Sequence, residues 1–373
     1  MKTTTVAAVV HDKDAPFALE EVQLEEPRAN EVVVRLVATG LCHTDLSVRS
    51  QVIPFPLPAV LGHEGAGVVE EVGAAVKRLR PGDHVLASFT SCGVCVNCYA
   101  GKPSNCDHFF PLNLLGGPSG GTRLDGTHTI YQDGRPLNAH FFGQSTLARH
   151  ALVDERCLVK VDDSAPLELL APLGCGIQTG AGTVLNVLRP HPGSMLVIFG
   201  AGGVGLSAVM AAALTGAAHI VAVDVVPSRL ELARELGATA TIDAGSVDVG
   251  EALREMSGGR GVDYIIESSG NLGAATTAVQ ILAARGTCAL LGAPPAGSTV
   301  PVDVNYMHLG RRVIGVAEGD SVPQVFLPAL ARLHELGKLP LERLVRHYRF
   351  EDIEQAAADA ESGATIKPVL LFD

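Results

Sequence analysis

The sequence predicts an α/β protein of two domains, one mostly β and one built on a doubly wound parallel sheet. Three observations carry this. The first ~110 residues hold short apolar or alternating runs separated by turn signals. From Ser194 onward, strand-like and helix-like segments alternate. A glycine-rich G-x-G-x-x-G run sits where the first strand of that second region meets its first helix. A length of 373 residues holds two domains of ~100–200 residues each.

In the first region, strands are expected at 5–10, 31–37, Gly65–Val72 and His84–Ala87, with Pro81-Gly82-Asp83 as a turn. Residues 109–138 read as loop, punctuated by Gly116-Gly117-Pro118, Gly120-Gly121 and Asp133-Gly134. The character changes near Gly174. A strand at Met195–Phe199 leads to a helix at 203–215, a strand at 219–223 and a charged amphipathic helix at 227–236. Further strands are expected at Val262–Glu267, 287–291 and 313–316. Helical patterns at 323–336 and 350–362 and a strand at 368–371 follow. The expected boundaries are 1–176 for the first domain, completed by 318–373, and 177–317 for the second.

Bulk properties exclude several function classes. A net charge of -12 repels phosphate backbones, so no nucleic-acid partner is expected. No apolar stretch reaches ~18 uninterrupted residues, and the longest candidate, 195–214, is broken by glycines, so no membrane partner is expected. Met1-Lys2-Thr3 is not followed by the apolar core of a signal peptide. Eight cysteines are present, and six fall into two metal-ligand groups. Cys157 and Cys288 lie in apolar surroundings and read as buried reduced thiols. Unpaired thiols favour a reducing, cytoplasmic location.

The first metal group is Cys42, His63 and Cys175, in the motifs Gly-Leu-Cys42-His43-Thr44-Asp45, Gly62-His63-Glu64-Gly65 and Gly174-Cys175-Gly176. Two thiolates and one imidazole leave the fourth position of a zinc tetrahedron open, the arrangement of a catalytic metal. The second group is Cys92, Cys95, Cys98 and Cys106. Four thiolates close the tetrahedron, so a structural zinc is expected. A disulfide cluster has no secretory context to support it. A nucleic-acid zinc ribbon spaces its two knuckles ~15–20 residues apart, whereas all four cysteines here share one short loop.

The glycine-rich run is Gly200-Ala201-Gly202-Gly203-Val204-Gly205. Its glycines permit a tight turn and close approach of a pyrophosphate to a helix N-terminus. Asp224 ends the next strand, 19 residues after Gly205. A carboxylate there accepts ribose hydroxyls and repels a 2′-phosphate, which favours NAD over NADP. Arg229 lies within reach of such a phosphate but reads as a solvated helix residue beside Asp224.

With both cysteine sets and the nucleotide motif in this order, the chain resembles the zinc-dependent medium-chain alcohol dehydrogenases over essentially its whole length. It looks most like their benzyl (aryl) alcohol branch, through Phe142-Gly143-Gln144-Ser145-Thr146, Glu318-Gly319-Asp320-Ser321-Val322-Pro323 and Thr365-Ile366-Lys367-Pro368-Val369-Leu370. The resemblance implies a GroES-like mostly-β catalytic domain and a Rossmann nucleotide domain. It implies two zinc ions per subunit, NAD, and reversible oxidation of a primary alcohol to an aldehyde. Thr44 would take the alcohol proton, Asp45 would orient His63, and Glu64 would approach the metal during ligand exchange. Thr179 and Val204 would press on the nicotinamide, while Gly200, Gly202, Gly203 and Gly205 of the turn would admit the pyrophosphate. His43 and Lys367 would contact the pyrophosphate, and Phe89 would line the substrate pocket. Ser47 stands where many relatives carry a relay histidine. A homodimer or homotetramer is implied, with a small alcohol or aldehyde as the other partner.

Simpler readings compete at some positions. Asp45 would otherwise be a helix N-terminal carboxylate with no metal role. Phe89 would serve as core filling. His108, His140 and His150 read as structural or surface residues, and Pro294-Pro295 as a turn. Two other functions also compete: a dehydrogenase of formaldehyde–thiol adducts, and a non-catalytic zinc- or nucleotide-binding protein. The first needs cations for the thiol's carboxylates, and 109–138 offers only Arg123 and Arg135.

Overall fold

The computed structural model describes residues 3–115 and 120–373; the Gly116-Gly117-Pro118 turn signal lies outside the described residues. The chain forms two compact units. One comprises Met1–Cys175, Val322–Glu335 and Leu341–Asp373, and the other Gly176–Ser321 and Leu336–Pro340.

The first unit holds two sheets. The smaller orders Ala59–Val60, Thr3–Val10, Ala18–Leu24, Ile130–Gln132 and Arg135–Leu137. The larger is centred on Glu31–Gly40, which pairs antiparallel with Gly65–Val72, His150–Asp154 and Lys367–Leu371. A strand with neighbours on both edges must be apolar along most of its length, and Glu-Val-Val-Val-Arg-Leu-Val-Ala-Thr-Gly is. Val32, Val34 and Leu36 pack on Val69, Val85, Val153 and Leu158, at roughly 1.5–3 kcal/mol per buried side chain.

The second unit is a six-stranded parallel sheet in the order Ala240–Asp243, His219–Asp224, Met195–Phe199, Val262–Glu267, Leu282–Leu290 and Arg312–Gly315. Numbered along the chain, this is 3-2-1-4-5-6, the doubly wound order that the sequence predicts. Met195–Phe199 is buried at every position, as a parallel strand covered on both faces requires. Among the described residues, no helix is long and apolar enough to cross a membrane.

The expectation of loop throughout 109–138 is corrected. Phe109–Asn113 is helical, and Ile130–Gln132 and Arg135–Leu137 form a hairpin. Its turn is Asp133-Gly134, both left-handed at φ 49° and 77°, the primed geometry whose twist suits two antiparallel strands. Within this segment Arg123 is buried and bidentate on Glu31, at 2.5 and 2.9 Å, and donates to His128 O at 2.9 Å. The 350–362 helix is also modified: Phe350–Asp352 is a 3-10 turn, and the α-helix is Ile353–Ser362.

His140 sits beside this buried ion pair, at φ 65°. Burial pushes its imidazole down to about 4, against the opposing pull of Glu31 and Asp154. The folded protein therefore keeps His140 neutral between pH 6.5 and 4, where the unfolded chain protonates it. Folding stability falls as pH drops through that window, by about 2 kcal/mol between pH 7.5 and 5. His140→Asn, which tolerates a left-handed backbone, is expected to remove that part of the pH slope. Urea unfolding at the two pH values would measure it; equal slopes for variant and parent would refute it.

Candidate active site

Three separate pieces of the first unit converge on one cluster. One ligand atom from each of Cys42, His63, Glu64 and Cys175 lies within 4.8 Å of the other three. Cys42 precedes the helix His43–Arg49 as its N-cap, and His63 and Glu64 lead into the strand Gly65–Val72. Cys175 follows the 3-10 turn Ala171–Gly174.

Asp45 links two of these pieces. Its Oδ2 accepts the Cys42 N–H at 3.0 Å, and its Oδ1 accepts the Gly62 N–H at 3.0 Å. The same Oδ1 lies 3.0 Å from His63 Nδ1, with both side chains fully buried. Asp45 is thus a helix N-terminal carboxylate and the orienting partner of His63 at once. A carboxylate only accepts, so Nδ1 carries the hydrogen and Nε2 presents its lone pair. Nε2 is buried with no hydrogen-bond partner among the described residues. A buried imidazole nitrogen facing two thiols is what a tetrahedral zinc would satisfy. The contact with Cys175 holds the Cys42 thiol well below its usual range, toward the thiolate that a metal requires.

Glu64 and Lys367 form a buried ion pair at 2.6 Å. Burial pushes the Glu64 carboxyl up to about 7, and the Lys367 ammonium opposes that rise. Lys367 is therefore directed inward at Glu64. Thr44 Oγ1 lies 3.6 Å from Cys42 Sγ, beside the cluster, and His43 is exposed one residue before it. Phe89 is buried against Phe109, at 5.8 Å between centroids, and lines a cavity of about 360 Å³ with Arg78, Ser91 and Gln324.

The segment His140–Ser145 was not singled out as part of the site by sequence reasoning, and the structure brings it there. Phe142 stacks on the His63 imidazole at 4.6 Å and 24°, and Phe141 meets it edge-on at 5.4 Å and 90°. His140, Phe142 and Ser145 have φ of 65°, 51° and 55°. Non-glycine residues there cost about 1–3 kcal/mol each, a cost that tends to gather at functional sites. The second segment of close likeness behaves similarly in its own unit, with Glu318, Gly319 and Asp320 at φ 50°, 64° and 49°. Gln178 donates to Glu318 at 3.0 Å and accepts from Ser321 at 2.8 Å.

The sulfurs of Cys92, Cys95, Cys98 and Cys106 also lie within 4.8 Å of one another. Backbone N–H groups of Val94, Cys95, Cys98 and His108 point at these sulfurs from 3.3 to 3.5 Å. Burial alone would raise the Cys92 thiol, but the Val94 and Cys95 N–H groups bring it down to about 6. Four sulfurs so placed fit a closed thiolate site.

In the second unit, Gly200 takes φ 90° at the turn out of the central strand, and any side chain on Gly205 would strike Gly200 O. The helix Gly203–Ala212 follows. Beside the turn lies a cavity of about 480 Å³, lined by Phe199, Gly200, Val223, Asp224, Val225 and Ser269. It opens at the carboxyl ends of the strands, where doubly wound sheets bind ligands. Asp224 Oδ2 accepts the Ala201 N–H at 2.6 Å, and Oδ1 accepts from Val225 and Val226. Arg229 is half-buried, with its Nε unpartnered among the described residues. Gly180, next to Thr179, lies against Val204, since a side chain on Gly180 would meet Val204 O.

Comparison with known proteins agrees with this architecture. The alcohol dehydrogenase GroES-like domain family matches residues 28–163, and the zinc-binding dehydrogenase family matches 203–335. The chain is 42% identical to the geraniol dehydrogenase of Castellaniella defragrans, over 98% of its own length and 97% of that protein. Its structure superimposes on the benzyl alcohol dehydrogenase of Acinetobacter calcoaceticus with a TM-score of 0.94 at 45% identity, covering all of both chains. An alcohol dehydrogenase zinc-binding domain protein from Burkholderia ambifaria gives 0.96 at 51% identity, again over both whole chains.

Proposed function

The chain belongs to the zinc-binding medium-chain alcohol dehydrogenases, and from that premise we propose that it oxidises primary allylic or benzylic alcohols to aldehydes, reversibly, with NAD. The observation that carries the reading is the buried His63 Nε2, unpartnered beside two thiols. Cys42, His63 and Cys175 would hold a catalytic zinc, and Cys92, Cys95, Cys98 and Cys106 a structural one. Bound zinc supplies Lewis acidity toward an alcohol oxygen, and NAD supplies the hydride acceptor.

The chain's own residues do the rest. Asp45 holds His63 in one tautomer. Thr44 Oγ1 takes the alcohol proton and passes it on toward His43 or solvent, since Ser47 offers no imidazole at the usual relay position. The glycine turn would admit the pyrophosphate, Thr179 and Val204 would hold the nicotinamide end, and Asp224 would accept from the adenosine ribose. Phe89 serves as a wall of the substrate pocket. The substrate preference draws on the likeness to a geraniol and a benzyl alcohol dehydrogenase. Arg123 is committed to Glu31, which leaves Arg135 as the one arginine of 109–138 outside that pair and weakens the formaldehyde–thiol reading. A homodimer or homotetramer is the expected assembly, through the edge strand Arg312–Gly315, in a reducing cytoplasm.

NADH formation across benzyl, cinnamyl, terpene and short aliphatic alcohols, with hydroxymethyl-thiol adducts alongside, tests the proposal. The highest kcat/KM is expected for benzylic or allylic alcohols. Preference for an adduct would replace the substrate, and no turnover from a zinc-replete folded sample would leave a non-catalytic protein. Asp224→Ala is expected to lower kcat/KM for NAD by about 30-fold, the worth of a charge-assisted pair of hydrogen bonds, while raising that for NADP. Unchanged coenzyme ratios would refute the ribose role.

A further inference from the structure

We propose that Phe142 is a positioning residue for the metal-ligating ring of His63, which rests on the reading that His63 binds the catalytic zinc. A hydrogen bond to Asp45 at Nδ1 fixes one corner of the imidazole. That bond tolerates about 30° of bending, so the ring plane can still tilt about the covalent Cβ–Cγ bond within that range. The stacked ring of Phe142, 4.6 Å away and inclined by 24°, covers one face of the imidazole. The perpendicular ring of Phe141, at 5.4 Å, limits motion in a second direction. Together they remove the remaining freedom. The Nε2 lone pair lies in the ring plane, so holding the plane holds the lone pair on the point where the Cys42 and Cys175 thiols converge.

Ordinary core packing does not require this arrangement. A bulky residue at φ 51° is an outlier, and its neighbours His140, Gly143 and Ser145 are left-handed as well. The conformation is held from several sides. The Phe141 N–H donates to Ser145 Oγ at 3.1 Å, and that hydroxyl donates to Val60 O at 2.7 Å. Gln144 Nε2 donates to Ser88 O at 2.9 Å, and the Thr146 N–H donates to Gly62 O at 3.0 Å. The last contact joins the segment to the residue before His63. The segment and the ligand are thus tied to the same backbone, and the ring of Phe142 is delivered to the imidazole face in a fixed orientation.

The test compares Phe142→Leu, which keeps apolar bulk and meets the same backbone demand without a ring, with Phe142→Tyr, which keeps the ring. Zinc transfer to a chelator would be followed in the whole enzyme, where the four-cysteine site is an internal control. Zinc from the three-ligand site is expected to leave about 10-fold faster in Phe142→Leu, the lower range for loss of a ligand-orienting contact. The four-cysteine zinc and the Phe142→Tyr variant are expected to match the parent. In cobalt-loaded protein, the ligand-field bands should shift in the Leu variant alone. Parental release and an unshifted cobalt spectrum in Phe142→Leu would overturn the proposal. Phe142→Met gives the same comparison should the Leu variant not fold. A parent that takes metal only at the four cysteines would overturn the metal reading itself, and this inference with it.

Discussion

His63→Ala is expected to lower kcat/KM for a benzylic or allylic alcohol by at least about 1,000-fold, because the Lewis acid is worth several kcal/mol of barrier and each tenfold is about 1.4 kcal/mol. The loss should follow the metal. Removing Nε2 leaves two thiols and Glu64 in the cluster, and Glu64 is already engaged by Lys367. Zinc analysis should show one equivalent lost and one retained. NADH binding should persist, because the cavity proposed for the coenzyme is lined by Phe199, Gly200, Asp224 and their neighbours in the other unit. A variant that keeps both zinc equivalents and parental activity would remove His63 from the mechanism.

Cys98→Ser is expected to release the other zinc and lower the unfolding temperature by on the order of 10 °C, the shift that several kcal/mol produce in a unit of this size. The loop buries little apolar surface to hold it otherwise. Its helices, Val96–Tyr99 and Pro103–Asn105, are single turns. Val94, Val96 and Tyr99 are 67%, 73% and 76% exposed, so they contribute little burial. Calorimetry with zinc analysis would check this. Loss of zinc without loss of thermal stability would show that the loop is held by something other than its metal.

Much of the site was legible because its chemistry is local in sequence. Cys42, His63 and Cys175, the ligands proposed for the catalytic zinc, each stand in a short glycine-containing motif, and the four other clustered cysteines share one loop. The glycine turn and Asp224 were readable because a strand, a turn and a helix occur in immediate succession. The strands Gly65–Val72, His84–Ala87, Met195–Phe199 and Val262–Glu267 also stand where the apolar runs place them. What was not legible depends on distance along the chain. The Glu64–Lys367 pair joins residues 303 apart, and the Arg123–Glu31 pair joins residues 92 apart. No periodicity announces such partners. Phe142 was visible only as part of a likeness, since its left-handed backbone is imposed by tertiary contacts. The Asp133-Gly134 hairpin did leave a signal, an Asp-Gly turn, which the short flanking strands obscured. The strand Ala240–Asp243 is short and the helix Leu272–Gln280 weakly patterned, whereas Val249–Met256, with Asp248 as its N-cap and apolar residues at 249, 252, 253 and 256, left a signal that was not used.

The strand Lys367–Leu371 lies between Glu31–Gly40 and Val345–Arg349 in the larger sheet, and it carries the lysine that meets Glu64. During synthesis, residues 176–340 emerge well before it, and they contain everything the parallel sheet needs. The nucleotide unit can therefore fold while the ribosome is still working. The unit bearing the cysteines and His63 must wait with an open sheet edge until residues 367–371 leave the exit tunnel. Lys367, the buried partner of Glu64, arrives with that strand, so the cluster around Cys42, His63 and Cys175 gains that charge only once residues 367–371 are in place.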